Sequence, residues 1–278
     1  MEEKAIEVKD LKKYYKSIKA VDGVSFNVEK GDFFAFLGPN GAGKTTTIKM
    51  LTTLLNPTDG EAMVNGKDVT KDAFGVRKSF GIVFQDQSLD NELTAYENMY
   101  FHGVLYRIER KLRKEKIEKM LKFVGLWDRK DSFVKTFSGG MKRRLEIARA
   151  LIHTPQILFL DEPTLGLDPQ TRNHIWNYVK ELNKKEGMTV FFTTHAMEEA
   201  EKYANKIAII DYGKIIAFGT VAEIKKKTRT KTIEEAFLKL TGHSIRKEEG
   251  SSKDRLRAQA KSWGRMWWEE HMFFGEDN

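Results

Sequence analysis

The chain has 278 residues, 40% of them apolar and 32% charged, which suits one large domain or one domain with subdomains. It contains no cysteine, which excludes disulfides, thiolate catalysis and zinc–thiolate sites and fits a reducing compartment. Its net charge of +8 suits nucleic acid, anionic lipid or nucleotide alike. Because we find no signal-peptide pattern and no apolar run near the ~20 residues that span a bilayer, we expect any membrane role to depend on a partner.

The chain begins with a strand-rich segment. Alternation over residues 5–8 and 24–28 predicts two short strands, and the apolar run 33–37 predicts a buried one. Tyr14 and Tyr15 fall between the first two predicted strands. Without further context, half-buried packing is the simplest interpretation of these two tyrosines.

A glycine-rich loop with the spacing G-x-x-x-x-G-K-T follows, between the strand 33–37 and a predicted helix over 46–51. Glycines let the backbone turn sharply and approach a polyanion, and the positive helix end with its N–H groups then faces the phosphates. Lys44 would add a charge for the β- and γ-phosphates, and the Thr45 hydroxyl could ligate Mg²⁺. The candidate nucleotide-binding residues are Gly38, Pro39, Asn40, Gly41, Ala42, Gly43, Lys44, Thr45 and Thr46.

The next apolar runs, at 61–64 and 80–84, are predicted strands, and the second ends at Gln85. In α/β folds, ligands bind outside the carboxyl ends of the strands. Taken alone, however, Gln85 would be explained by a polar loop.

Residues 93–153 are predicted to be helical and to form a subdomain inserted into the α/β body. Thr94 and Glu97 make a capping-box pattern at the start of this block. Two apolar faces follow at helical spacing and are interpreted as core. They comprise Tyr96, Met99, Tyr100 and Val104 in the first helix and Leu112, Ile117, Met120, Leu121 and Val124 in the second.

A third helix in this block starts after Ser138, Gly139 and Gly140. Serine is a favourable N-cap, so a simple capped helix explains the pattern. Two glycines and a hydroxyl at a helix start also make a candidate anion site.

The apolar run 157–160 predicts a strand that ends in Asp161 and Glu162. Two carboxylates at the end of a buried strand are costly unless they are used, although the strand could simply emerge into solvent. With a phosphate loop upstream, we interpret Asp161 as an Mg²⁺ ligand and Glu162 as the group that orients or polarises the attacking water.

The remaining elements complete an alternating pattern. A helix is predicted over 171–185, and a strand over 189–193 ends in Thr194 and His195, on the expected nucleotide side. Residues 207–210 and 214–218 are predicted to form a hairpin. A fold of the P-loop NTPase class follows, an α/β RecA-like core with an antiparallel β subdomain and the helical insertion.

The ordered set of motifs over residues 4–242 resembles the ATP-binding cassette (ABC) family, specifically the nucleotide-binding subunit of an ABC transporter. The resemblance implies that 38–46 is the Walker A loop and that Tyr15 stacks on adenine. It also implies that Ser138, Gly139 and Gly140 belong to the signature motif. Here the usual leucine and glutamine at the ends of that motif are Phe137 and Met141.

The resemblance also assigns roles in hydrolysis. Asp161 matches the Walker B aspartate, Glu162 the catalytic glutamate, Gln85 the Q-loop glutamine and His195 the switch histidine, while 167–168 falls in the D-loop. The predicted catalytic residues are therefore Lys44, Gln85, Glu162 and His195, and the predicted metal ligands are Thr45, Gln85 and Asp161. ATP and Mg²⁺ are the implied cofactors.

The family further implies a head-to-tail dimer, expected to be a homodimer, in which each ATP lies between one Walker A loop and the other subunit's signature. A separate transmembrane permease would place the chain at the cytoplasmic face of the membrane. Residues 218–242 resemble the end of drug-resistance and ABC-2-type export ATPases, which favours export of an unidentified substrate.

Two other functions were weighed. A small-molecule kinase conflicts with the serine–glycine–glycine motif and with Asp161–Glu162 followed by His195. A soluble ABC-type ATPase acting on nucleic acid or ribosomes is permitted by the charge, but such proteins usually carry two cassettes or a long coiled-coil insertion. We therefore expect no nucleic-acid partner.

We predict an ATPase domain over 1–242, with the helical subdomain at about 90–153, and a C-terminal extension over 243–278. The basic run 225–231 is interpreted as a solvated helix end or loop, with anionic lipid contact as the alternative. In the extension, Trp263, Trp267 and Trp268 could pack on the parent domain, lack structure, or form a docking helix.

Overall fold

Two sheets organise the chain, and the computed structural model describes residues 3–242 of it. The smaller sheet is antiparallel and has the strand order β2-β1-β4-β5. Its strands are β1 (Lys4–Tyr15), β2 (Ile18–Glu29), β4 (Asp59–Val64) and β5 (Lys67–Asp68).

The larger sheet has six strands in the order β10-β9-β3-β8-β7-β6. The five strands from β9 to β6 run parallel, and β10 pairs antiparallel with β9 as the outer half of the predicted hairpin. The strands are β3 (Phe33–Leu37), β6 (Phe80–Val83), β7 (Ile157–Asp161), β8 (Thr189–Thr194), β9 (Lys206–Asp211) and β10 (Lys214–Thr220).

Helices connect these strands. Within the described residues they are α1 (Lys44–Leu51), α2 (Ala73–Ser79), α3 (Ala95–Leu105), α4 (Arg110–Phe123), α5 (Gly139–Leu151), α6 (Pro169–Glu186), α7 (Met197–Tyr203), α8 (Val221–Thr228) and α9 (Ile233–Thr241). Three of them, α3 to α5, fall between β6 and β7 in the chain and lie within the predicted helical subdomain. Thr94 forms the predicted capping box with Glu97 at the start of α3.

The larger sheet is buried on both faces because its strands are continuously apolar. In β3, Phe34 and Phe36 face the antiparallel sheet, where they pack with Phe26 and Phe191 at ring separations of 5.3–5.7 Å. The alternate residues of β3 join the core formed with the helices on the opposite face. The P-loop NTPase class with an antiparallel β subdomain is thereby confirmed.

Several local predictions were wrong. The first two strands each run for twelve residues, so Tyr14 and Tyr15 belong to β1 rather than to a linker. Helix α2 was not predicted. Val104 and Leu112, assigned to core faces, are each 44% exposed. The buried side of α3 is formed by Ala95, Asn98, Met99 and Gly103, and that of α4 by Arg113, Ile117, Met120 and Leu121.

Among residues 3–242, no helix combines the length and apolar character that a bilayer crossing requires. The basic run falls at the end of α8, where Lys225 pairs with Glu201 and Arg229 caps the helix in a left-handed conformation. The tail tryptophans and the extension over 243–278 lie outside the described residues.

Candidate active site

The carboxyl ends of four neighbouring parallel strands meet at one edge of the larger sheet. The glycine loop follows β3, Asp161 ends β7, His195 follows β8 and Gln85 comes shortly after β6. Residues far apart in the chain therefore share one edge, as expected for a ligand site in an α/β fold.

The glycine loop leaves the start of α1 open to a ligand. Gly43 has a φ of +110°, and a Cβ there would lie 2.5 Å from the Ala20 carbonyl oxygen of β2, so only glycine fits. Gly43 is also the N-cap of α1, and no side chain caps this helix. The first N–H groups of α1 can therefore bind an anion together with the helix dipole.

Backbone hydrogen bonds connect the phosphate loop to the turn between β9 and β10, and that turn to β2. The Gly213 N–H, in the turn between β9 and β10, donates to the Ala42 carbonyl at 3.0 Å, and the Asp22 N–H of β2 donates to the Gly213 carbonyl at 2.8 Å. Both sheets thus fix the shape of the phosphate loop.

A buried ion pair lies at the centre of the site. Lys44 Nζ is 3.0 Å from Glu162 Oε1, and the two side chains are only 5% and 8% exposed. Lys44 also donates to the carbonyls of Gly38 at 2.7 Å and Pro39 at 3.2 Å. On the open side, His195 Nδ1 lies 2.8 Å from Glu162 Oε2.

Asp161 is the second buried carboxylate of the site. Its Oδ1 accepts hydrogen bonds from the hydroxyls of Thr193 at 2.6 Å and Thr45 at 3.3 Å. Burial raises the pKa of Asp161, and these two hydroxyls oppose that rise. A carboxylate beside a hydroxyl supplies the hard oxygen donors that Mg²⁺ prefers.

The two tyrosines at the end of β1 differ in their contacts and in their exposure. The Tyr14 hydroxyl donates to the Asp22 carboxylate. Tyr15 is 41% exposed. Since β2, the partner of β1 in this hairpin, also lines Gly43, the exposed ring of Tyr15 is the better candidate for contact with a base.

The structure brings five of the predicted residues into one hydrogen-bonded group, in which the Thr193 hydroxyl links Asp161 to the Glu162 N–H: Lys44, Thr45, Asp161, Glu162 and His195. Gln85 and the motif at the start of α5 lie outside this group among the described residues. Gln85, Ser138 and Gly139 are exposed. The Ser138 hydroxyl does cap α5, by accepting the Met141 N–H at 3.3 Å.

Sequence reasoning assigned no role to three polar residues that shape this site. Thr193 and Glu199 are buried, and Glu199 accepts hydrogen bonds from the hydroxyls of Thr164 at 2.7 Å and Thr194 at 3.2 Å. Arg143 is buried within α5. Thr193 ends an apolar run, which is a signal in the sequence, whereas Arg143 and Glu199 stand among other charged residues and no local pattern distinguishes them.

Comparison with known proteins decides the family. Residues 21–165, half of the chain, match the family model for the ABC transporter. The chain belongs to the ABC transporter family. It is 46% identical over 222 residues to the daunorubicin/doxorubicin resistance ATP-binding protein DrrA of Streptomyces peucetius, covering 80% of this chain and 67% of DrrA.

Two further matches agree with this assignment. The linearmycin resistance ATP-binding protein LnrL of Bacillus subtilis (strain 168) is 43% identical over 228 residues, covering 82% of this chain and 73% of LnrL. A solved ATP-binding cassette, a dimer in a post-hydrolysis state bound to ADP and Pi, is 29% identical with a TM-score of 0.71. That match covers 77% of this chain and 98% of the cassette. As a member of the ABC family, the chain is an ATP-binding ATPase.

Proposed function

We propose that this chain powers export of a substrate through a separate membrane subunit, by hydrolysing ATP at the edge where the phosphate loop, Asp161, Glu162 and His195 meet. The observation that carries the proposal is the buried contact of Lys44 with Glu162, which joins the phosphate-binding loop to a carboxylate suited to activate water. The resistance functions in the printed names of DrrA and LnrL support export.

Nucleotide binding would start from the loop 38–46. The open N-terminus of α1 and the Lys44 ammonium together favour the negative phosphates. The exposed Tyr15 ring would stack on adenine, while Tyr14 stays held by Asp22.

Thr45 and Asp161 would hold Mg²⁺, with Gln85 close by. Among the described residues no cluster of three or more acidic, histidine or cysteine side chains forms a metal cage. Mg²⁺ is commonly bound by one or two protein groups together with the nucleotide phosphates. When bound, the ion would neutralise charge that develops on the transferred phosphoryl group.

Glu162 would act on the attacking water as the general base. Its two carboxylate oxygens are held separately, Oε1 by Lys44 and Oε2 by His195, so the group has a fixed orientation. When Lys44 moves to the phosphates, His195 would keep Glu162 in position, since its hydrogen bond is independent of the lysine.

A head-to-tail homodimer would complete each site. The start of α5 offers exposed N–H groups and the Ser138 hydroxyl, but in one chain these residues lie outside the group around Lys44. In the dimer they would contact the γ-phosphate bound to the other subunit. The dimeric state of the matched cassette supports this arrangement.

The membrane subunit would dock on the helical side near Gln85. Large apolar side chains are exposed on α3 and α4, and such a surface is typical of protein contacts. They are Phe101, Val104, Leu105 and Leu112. Docking there would place the chain at the cytoplasmic face of the membrane.

Glu162→Gln tests the catalytic assignment, because the amide keeps the shape of the side chain but cannot accept a proton. We expect loss of ATP turnover together with retention of ATP-dependent dimers by size-exclusion chromatography. Near-normal turnover would reject the catalytic assignment of Glu162.

Copurification of the wild-type chain with a multispanning protein from membranes tests the transport role. Recovery of the chain bound to nucleic acid would reject that role.

A further inference from the structure

Arg143 occupies an unusual place in α5, one turn beyond the exposed start of the helix. Its side chain is buried, with 7% of the residue exposed. Its guanidinium donates to five acceptors from three parts of the chain. They are the carbonyls of Phe84, Asp161, Glu162 (3.3 Å) and Pro163 (2.8 Å) and the carboxylate of Glu146 (3.0 Å).

Three of these carbonyls are consecutive, and they converge because the chain turns at Glu162. Glu162 has a φ of +48°, a left-handed conformation that costs a non-glycine residue of the order of 1–2 kcal/mol. On the other side of the turn, the Glu162 N–H donates to the carbonyl and the hydroxyl of Thr193. Arg143 and Thr193 therefore hold the turn from both sides, and the turn directs the Glu162 carboxylate toward Lys44.

The same network holds the loop that contains Gln85. At its start, Arg143 binds the Phe84 carbonyl, and at its end Glu146 accepts the Ser88 N–H at 2.8 Å. Arg149 donates to the Ser88 carbonyl at 2.8 Å. Helix α5 thus forms hydrogen bonds with residues on both sides of Gln85, namely Phe84 and Ser88.

The contacts require arginine rather than any cation. A guanidinium presents five donors in a rigid plane, whereas an ammonium has three donors on a compact head. Glu146, which is 1% exposed, supplies the negative charge beside it. A lysine at 143 would keep the charge but could not reach all of these acceptors.

We infer that Arg143 is a positioning residue for ATP hydrolysis, which sets the Glu162 turn and the Gln85 loop relative to helix α5. The inference rests on the proposed roles of Glu162 and Gln85. Because α5 begins at the residues proposed to bind the partner subunit's nucleotide, a shift of α5 on dimer closure is transmitted by Arg143 to the chain's own catalytic carboxylate. Arg143 itself touches no substrate.

Arg143→Lys tests this inference, with Arg144→Lys as the matched control, since Arg144 donates to the Val124 carbonyl within the helical side. We expect Arg143→Lys to lower kcat by about 10- to 100-fold, the effect of a small misplacement of a catalytic group. The Kd for a fluorescent ATP analogue should change less than about threefold, since the phosphate loop is untouched. Arg144→Lys should change neither.

A double-mutant cycle of Arg143 and Glu162 distinguishes positioning of the Glu162 carboxylate from a general contribution of Arg143 to stability. In a Glu162→Ala background, single-turnover hydrolysis should be insensitive to Arg143→Lys, because the group being positioned is gone. If Arg143→Lys folds poorly, Glu146→Gln replaces it, as the amide keeps an acceptor for Ser88 while removing the charge beside Arg143. It should lower kcat without altering the Kd.

Three results would overturn the inference: equal behaviour of the two lysine variants, additive effects in the cycle, or parallel changes of kcat and Kd. Those results differ from failure of the proposed function. If Glu162→Gln hydrolyses ATP normally, the function is rejected. If Glu162→Gln is inactive and Arg143→Lys resembles Arg144→Lys, only the positioning role is rejected.

Discussion

The two glycine-bearing helix starts of this molecule, at α1 and at α5, are built for different surroundings. At α1 the loop is backed by both sheets, Gly43 supplies no side-chain cap, and Lys44 is buried against Glu162. At α5 the start of the helix is exposed, and Ser138 already caps the Met141 N–H. The start of α1 is therefore backed by its own chain, whereas the start of α5 is open, as the proposed contact with the other subunit's nucleotide requires.

The two glycines at the start of α5 also differ in their surroundings. A Cβ at Gly140 would lie 2.5 Å from Thr171 Cγ2 of α6, so that glycine serves the chain's own packing. A Cβ at Gly139 would have Leu167 Cδ2 as its nearest neighbour, 4.0 Å away. The space in front of Gly139 is therefore available to another molecule.

Lys44→Ala should have the largest effect on ATP binding and on stability, because it removes the buried cation at the start of α1. Loss of charge-assisted hydrogen bonds to phosphate should weaken ATP binding by about 100-fold. Removing a buried partner of Glu162 should lower the free energy of unfolding by about 3 kcal/mol. Calorimetric titration and urea unfolding measure these changes. Lys49→Ala, at an exposed position of the same helix, is the control and should change neither.

The two glycines of α5 should separate folding from catalysis. Gly139→Ala should leave the free energy of unfolding within about 0.5 kcal/mol of wild type. It should nevertheless reduce turnover about tenfold or more, because the methyl group would stand against the other subunit's nucleotide. Normal turnover by a stable Gly139→Ala protein would contradict the shared site.

Gly140→Ala should instead destabilise the chain by about 1–3 kcal/mol through overpacking against Thr171. Thr171→Ser, which removes the clashing methyl group, should restore much of this loss in the double variant. Thermal and urea unfolding check the rescue, and its absence would mean that α5 is displaced in some other way.

Ser138→Ala should lower the free energy of unfolding by about 1 kcal/mol, because it removes one helix cap whose hydrogen bond is 3.3 Å long. Ser138→Thr keeps a hydroxyl and should lie closer to wild type in urea unfolding. If both variants unfold like wild type while turnover falls only in Ser138→Ala, the hydroxyl serves the ligand and not the helix.

The sequence predicted those parts of the fold that local patterns determine. Continuous apolar runs identified the strands of the larger sheet, and Thr94 with Glu97 identified the start of α3. The full length of β1 was missed because a bulge between Val8 and Leu11 places two consecutive exposed residues, Lys9 and Asp10, in the strand and breaks the alternation. Helix α2 was missed because it is short and contains Gly75, and glycine is a poor helix former.

The sequence could predict those residues of the site that lie at the ends of strands. Asp161, Glu162 and His195 each follow an apolar run, and parallel strands bring such ends together. The contact of Lys44 with Glu162 and the convergence of carbonyls on Arg143 depend on tertiary geometry. No periodic pattern encodes which carbonyl a buried arginine will meet.

The hydrogen bond from the Gly213 N–H to the Ala42 carbonyl has a consequence for protein synthesis. The phosphate loop is translated early, but this backbone partner is made much later, and domains fold as units while the chain emerges from the ribosome. A nascent chain that stops before residue 213 therefore lacks part of the frame that shapes the loop. ATP binding should accordingly be acquired only after the turn between β9 and β10 has been made, and not when the phosphate loop itself has been translated.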